Sequence, residues 1–257
     1  MNIGFIGTGK ITTSVIQGLF RSNIKLKQIL ISERNKKNSS ALSKKFRRVK
    51  VVKNNQDIIN NSSWVFIAVV PTVAKKILKE LTFKKNQTVV SFVSTLNMNY
   101  LKKTIRPATN IVKAAPLPTI ASKLGPIILF PNAAKVTKFF NHLGMSIVAK
   151  NEEENNHLWA MTSTMATYFE YCHTLESWLI KRKVTPVKAK DLVASLMFGL
   201  SHSMLLSKTK TKNLVSDYQT KKGINEELLK RLKKEKIFRS IDSNLTKIFE
   251  RIKKAND

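Results

Sequence analysis

Residues 3–19 read IGFIGTGKITTSVIQGL, and the change of period inside this stretch decides the fold. Residues 3–6 are a short run rich in β-branched and aromatic side chains, which predicts a buried strand. Ile11, Val15, Ile16 and Leu19 then recur at helical spacing, which predicts a helix directly behind it. Gly7 and Gly9 fall in the turn between the two. Such a turn presents the first free N–H groups of a helix, and glycine lets a pyrophosphate approach them without a Cβ in the way. A strand, a G-x-G turn and a helix open a dinucleotide-binding βαβ unit; an ordinary tight strand–helix turn is the alternative. The last small position of that fingerprint is held here by Thr12.

With 257 residues, 42% of them apolar, the chain can hold one large or two modest domains with a real core. No charged-then-apolar leader precedes Ile3, and the longest apolar runs, such as 64–70, are too short for a bilayer. A cytoplasmic protein with no membrane partner is expected. The single cysteine, Cys172, cannot form an internal disulfide; beside Tyr168, Phe169 and Leu175 it reads as a small buried hydrophobe. His142 and His202 lie in helical stretches, and His157 and His173 are too far apart to share a helix turn, so no metal site is expected. The net charge of +30 makes nucleic acid the first partner to consider. The lysines are scattered over nearly every polar face, however, and the densest run, KRLKKEK at 230–236, has no interleaved aromatics. A solvated basic surface that attracts an anionic cofactor is the better reading, with nucleic acid disfavoured as a partner.

Further strands are predicted over 29–32, 49–52, 64–68 and 88–92, with more at 111–114, 126–130 and 146–148, and helical patterns separate most of them. This alternation predicts an α/β fold: an N-terminal Rossmann-type domain over 1–150 with a mostly parallel sheet. After Glu152 the strands stop, and helical periodicity runs through 157–183, 186–208 and 225–254, giving a smaller all-helical domain over 151–257. Residues 158–180 carry Trp159, Met165, Tyr168, Phe169, Tyr171, Leu175 and Trp178 on more than one face. A helix apolar all round needs cover, which predicts a homodimer or higher homo-oligomer built on this domain. At the end of the second strand an acidic residue would bind a ribose 2′-hydroxyl and repel a 2′-phosphate. Here ISERNKK places Ser32 at the strand end, then Glu33, then Arg34, Lys36 and Lys37. That favours NADP (NADPH) over NAD, with a charged surface loop as the bland alternative.

In this order the motifs resemble the pyrroline-5-carboxylate reductase family along nearly the whole chain. GFIGTGKITTSVIQGL is similar to that family's G-x-G-x-M-A opening, with Gly7, Gly9 and Gly18 kept. IAVVP at 67–71 resembles A-V-K-P, SFVST at 91–95 resembles S-I-A-A-G, and KAAPLPTIASKLGP resembles R-x-M-P-N-T-P-A followed by glycine. TSTMATY at 162–168 stands where the family has S-G-S-G-P-A-Y, and TKKGINEELLKRL resembles its S-P-G-G-x-T loop and following helix. FRS at 238–240 recurs where the family has the same three letters. The departures cluster at the chemistry: Val70 replaces a lysine, Leu117 and Pro118 replace Asn-Thr, Met165 and Ala166 replace Gly-Pro, and Lys221 and Lys222 replace Pro-Gly.

The resemblance implies cofactor contacts at Gly7, Thr8, Gly9, Lys10 and Ile11, at Ser32 and Arg34, at Ala68, Val69 and Pro71, and at Ser94. It implies a catalytic role for Asn225 and Thr220, at the ends of the S-P-G-G-x-T match, and substrate contacts at Lys222, Gly223 and Thr162. The implied reaction is hydride delivery from the nicotinamide to the C=N carbon of a small carboxylated imine, pyrroline-5-carboxylate or a relative. Asn225 can donate or accept a hydrogen bond but stores no proton, so a protonated imine or a water must carry it. Thr220 and Asn225 could equally cap the helix that starts GINEELL, and the hydroxyls of Thr162 and Thr164 could bond back to their own helix. Two other functions stay open: a cofactor-binding protein with lost or altered catalysis, and a basic nucleic-acid-associated protein.

Overall fold

The computed structural model describes residues 1–256. The opening run forms β1 (Asn2–Ile6), which passes directly into α1 (Lys10–Phe20). The first unit continues through β2 (Gln28–Ser32), α2 (Lys36–Lys45), β3 (Val49–Val52), α3 (Asn55–Asn60), β4 (Trp64–Ile67) and α4 (Pro71–Lys79). Next come β5 (Thr88–Ser91), α5 (Met98–Thr104), β6 (Asn110–Pro116), β7 (Pro126–Phe130), α6 (Ala134–Asn141), β8 (Met145–Val148) and α7 (Glu152–Met161). The strands form one sheet in the order β3-β2-β1-β4-β5-β6-β7-β8. All pairs are parallel except β6–β7, so the sheet is mostly parallel, as the alternation predicts. The β6–β7 link holds only a 3₁₀ turn, Pro118–Ser122. That is too short for a crossover helix, so the chain returns antiparallel.

Both faces of the sheet are covered. One core joins β1 to α1, α2 and α6 through Phe5, Val15, Ile16, Leu42, Phe66, Phe139 and Phe140, with Phe5 stacked on Phe66 at 4.6 Å. The opposite core joins the sheet to α3, α4 and α5 through Ile58, Ile59, Ala74, Leu78 and Leu101. Strands buried on both faces read as continuous apolar runs, which is why residues 3–6 and 64–67 show no alternation. Asparagine caps start four of the helices: Asn35, Asn54, Asn97 and Asn151 accept from the backbone N–H of Asn38, Gln56, Tyr100 and Glu154.

By contact the chain divides into two compact units, Met1–Thr162 with the last turns from Phe249, and Ser163–Ile248. The second unit holds α8 (Thr164–Ile180), α9 (Pro186–Leu206), α10 (Thr211–Asp217) and α11 (Ile224–Lys234), and α12 (Ile237–Asn256) starts in it. Helices α8 and α9 pack on each other across a tight turn in which Lys183 is left-handed (φ 65°) and Pro186 takes the first helical position of α9. Two helices predicted as continuous are broken. The pattern over 157–183 stops at Thr162–Ser163, where Thr162 N–H turns back to the Trp159 carbonyl at 3.0 Å. The pattern over 225–254 breaks before Ile237, where Lys236 is left-handed (φ 59°). Cys172 is half-buried, not buried, because its apolar neighbours on α8 lie largely exposed. Among the described residues no helix is long and apolar enough to cross a membrane.

Candidate active site

The turn after β1 is held from below. Gly7 has φ 103°, a left-handed backbone that glycine alone adopts without strain, and a Cβ there would strike the Ala68 carbonyl at the end of neighbouring β4. Gly7 N–H donates to Ser32 Oγ at 2.9 Å, and Thr8 Oγ1 donates to the Ser32 carbonyl at 2.6 Å. Asn38 on α2 donates its Nδ2 to the Thr8 carbonyl at 3.0 Å. Buried Thr12 donates its hydroxyl to the Gly7 carbonyl at 2.8 Å, which is how threonine is accommodated at the fingerprint's last position. Close packing is taken over by Gly18, where a Cβ would strike the Ile120 carbonyl.

Above this support the turn is open. Gly9 caps α1 without a side-chain hydrogen bond, no acidic residue lies in the first turn of α1, and a Cβ on Gly9 would meet nothing within 4 Å. The positive end of an 11-residue helix therefore faces free space. Its place in the sheet matters, because the chain runs from β1 outward to β2 and β3 and then restarts beside β1 as β4. Ligands of doubly wound sheets bind in the crevice at such a switch point. Lys10 is exposed and Ile11 half-buried on the crevice side of the sequence. Ala68 and Val69, half-buried, and Pro71, exposed at the first position of α4, follow β4 on the same sheet edge, and half-buried Ser94 follows β5. At the end of β2, Ser32 is buried and spends its hydroxyl on the Gly7 turn. Arg34, Lys36 and Lys37 are exposed beyond it, with no carboxylate partner among the described residues.

A charged pair lies beneath the β5 loop. Lys113, in the middle of β6, is fully buried and bonds Glu152 Oε1 at 3.0 Å; the same oxygen accepts from the Met98 N–H at 2.8 Å. Burial pulls the Lys113 ammonium below its ordinary range, and Glu152 offsets only part of that. The Trp159 ring on α7 lies 5.8 Å from the ammonium. Glu152 thereby ties β6, the start of α5 and α7 together at the foot of the loop that carries Ser94.

Thr162 ends α7, and its hydroxyl donates back to the Trp159 carbonyl at 2.7 Å. In the second unit, Gly223 caps α11, and its N–H donates to the Thr220 carbonyl at 2.8 Å. Lys222 is left-handed (φ 61°) and donates its N–H to Glu226 Oε2 at 2.8 Å. The Lys230 ammonium at 2.8 Å and that N–H hold the Glu226 carboxyl below the usual carboxylate range. Asn225 is neither cap nor free: its Nδ2 donates to the Tyr218 carbonyl at 3.0 Å, closing the loop, while its amide oxygen has no partner among the described residues. Thr220, Lys222, Gly223 and Asn225 are thus assembled in one tight loop on the surface of their unit.

Residues 2–97 match the family model described as NADP oxidoreductase, coenzyme F420-dependent. A pyrroline-5-carboxylate reductase 3 from Xenopus laevis is 22% identical over 232 residues, covering 86% of this chain and 84% of the relative. Its namesake from Danio rerio is 27% identical over 119 residues, 45% of this chain, and that match spans only 41% of the relative's length. The crystal structure of the Plasmodium falciparum pyrroline carboxylate reductase, with NADP bound, has the same fold: TM-score 0.88 at 18% identity, over 100% of this chain and 98% of that one. The chain thus has the fold of these pyrroline-5-carboxylate reductases and is similar in sequence to one of them along most of its length.

Two features of the site escaped the sequence reading. Asn38 supports the glycine turn from 30 residues away, and nothing in ERNKKN distinguishes it from a helix-start asparagine. The Lys113–Glu152 pair did leave a signal, since a lysine inside the otherwise apolar run IVKAA must either break the strand or find an anion.

Proposed function

We propose that the protein is an NADPH-dependent reductase that delivers hydride to the C=N carbon of a small carboxylated imine, pyrroline-5-carboxylate or a close relative. The observation that carries the reading is the Gly9 end of α1, open at the switch point of the sheet, with Arg34, Lys36 and Lys37 beyond the end of β2 and without a carboxylate partner among the described residues. The dinucleotide fits these residues: the α1 N–H groups would receive its pyrophosphate and Arg34 its 2′-phosphate, while NAD could use Glu33 instead. When bound, the nicotinamide supplies the hydride. Gly7, Thr8 and Ser32 position the turn, and Ala68, Val69, Pro71 and Ser94 line the adjoining loops of the same sheet edge. In the second unit the amide oxygen of Asn225 would accept from the N–H of a protonated imine, and the Lys222 ammonium and the Gly223 N–H end of α11 would attract the carboxylate. Thr220 and Thr162 would serve by shaping their turns.

The assembly is part of the proposal. Helix α8 has no buried residue although Phe169 is 70% and Trp178 54% exposed, and α9 buries only Ala189 and Val193. Apolar surface of this extent calls for a second copy, so a homodimer through these helices is the working unit. The setting is cytoplasmic and the partner a small molecule, not nucleic acid. Calorimetric titration tests the cofactor half: NADPH binding by the wild type and none by Gly9→Val is the expected result, and equal affinity in the two proteins would reduce the opening motif to a structural turn.

A further inference from the structure

Lys27, Gln28, Arg47, Arg48 and Lys50 line a cleft of about 460 Å³ in the sheet unit. Lys27 stands immediately before β2, Arg47 and Arg48 before β3, and Lys50 is the second residue of β3. The Ile29 N–H donates to the Arg48 carbonyl at 2.9 Å, so the cleft lies across the N-terminal ends of these strands. The candidate active site occupies their C-terminal ends. The length of β2, roughly 13 Å at ~3.3 Å per residue, separates the two.

Three observations set this cleft apart from a generally basic surface. First, all four cations are exposed and none has a carboxylate partner among the described residues, while no acidic side chain lines the cleft. Like charges gathered without an anion repel one another, and an anionic ligand relieves that repulsion. Second, the chain has only nine arginines among its 46 cationic residues, and Arg47-Arg48 is its one adjacent arginine pair. A bias toward lysine explains lysines; it does not explain two neighbouring guanidiniums, whose planar forks match phosphate oxygens in pairs. Third, the volume lies within the range of ~300–1,000 Å³ typical of small-molecule sites.

We propose that this cleft is a second anion site, separate from the dinucleotide crevice, for a compact ligand bearing two or three linked phosphates. One phosphate carries about two negative charges at neutral pH, so four cations are matched only by several phosphates on one ligand. Arg47 and Arg48 hold the oxygens, Lys27 and Lys50 supply charge, and Gln28 can donate to a bridging oxygen. Inorganic tripolyphosphate and the triphosphate end of a nucleotide share this chemistry.

The test is calorimetric titration of the full chain with sodium tripolyphosphate and with ATP, each with and without saturating NADPH. One site per chain is expected, with affinity unchanged by NADPH, weakened about tenfold or more in Arg47→Ala/Arg48→Ala, and weakened severalfold in Arg47→Lys/Arg48→Lys, which keeps the charge and loses the forks. Lys102→Ala/Lys103→Ala, the same charge change at the end of α5, should leave the affinity within about twofold. Preference for ATP over tripolyphosphate assigns the nucleotide as the source; equal affinity assigns the bare phosphates. Competition with NADPH, equal loss in the α5 variant, or absence of binding would each overturn the site. So would tighter, Arg47-dependent binding of a single-stranded RNA oligonucleotide.

Discussion

Replacing Glu152 by glutamine strips the fully buried Lys113 of the carboxylate that faces it at 3.0 Å. Breaking a buried ion pair from one side costs about 3–5 kcal/mol, because the remaining charge is neither hydrated nor paired. Two features lower that figure here. Glutamine keeps an oxygen for the Met98 N–H, and the Glu152 side chain is 30% exposed, so part of its charge already sees water. A loss of about 2–3 kcal/mol remains, and at ~2–4 °C per kcal/mol for a chain of this size the melting temperature should fall by roughly 5–10 °C. Lys113→Met behaves differently: it removes the buried cation, leaves a carboxylate that can hydrate, and should change stability by less than about 1 kcal/mol in either direction.

The pH dependence separates the two effects further. Burial holds the folded Lys113 below its unfolded value of 10.5. Between the two values the unfolded chain carries a proton that the folded chain has shed, so wild-type stability rises with pH relative to Lys113→Met across that window. Without Glu152 the folded value falls further, and the Glu152→Gln protein should begin to recover at lower pH than the wild type. Thermal and urea unfolding followed by far-ultraviolet circular dichroism, from pH 7 toward 10.5, reads all three proteins. Equal destabilisation of both variants, or differences that do not change with pH, would refute the reasoning that a buried charge sits at this junction.

The geometry sets further outcomes at the glycine turn, at the Asn225 loop and at the exposed helices. Gly7→Ala should cost about 1–3 kcal/mol, since φ 103° and the Ala68 carbonyl both oppose a Cβ, whereas Gly9→Val should lose dinucleotide binding with little change in melting, because the space around Gly9 is empty. Asn225→Ala should lower turnover about tenfold while sparing NADPH affinity; if Asn225 only closes its loop onto Tyr218, the variant instead melts earlier by about 1 kcal/mol and turns over normally in the cold. Lys222→Ala, its companion, should raise the Michaelis constant more at low salt than at high. Light scattering on the full chain should give a dimer at micromolar concentration, and a monomer there would leave the exposed Phe169 and Trp178 without cover.

What could be read in advance follows the range of the forces involved. The strands were legible because burial on both faces leaves unbroken β-branched runs such as residues 64–67, and the glycine turn because only one residue type satisfies φ 103° at Gly7. Helix ends at 162–163 and at Lys236 were not, since neither break carries proline or glycine; a tightened last turn and a left-handed lysine make them. The site was harder for the same reason. Ser32 reads as a strand end facing the cofactor, yet its hydroxyl is engaged by Gly7 N–H across two strands, and the Lys113–Glu152 contact joins residues 39 positions apart. Asn225 reads equally as a substrate contact or a helix cap, but Gly223 caps α11 and the asparagine bonds the Tyr218 carbonyl. Local sequence sets the elements; which polar atoms remain for a ligand is settled only when the loops meet.

The most direct measurement is turnover. The purified chain is mixed with NADPH and, in turn, pyrroline-5-carboxylate, related cyclic imines and oxo acids, and the nicotinamide absorbance is followed. The proposal predicts oxidation of NADPH with a carboxylated imine, slower oxidation of NADH, and a narrowed gap between the two in Arg34→Ala. If NADPH binds in a Gly9-dependent manner and no imine on the panel consumes it, the reductase reading is contradicted and a cofactor-binding protein without this catalysis stands in its place.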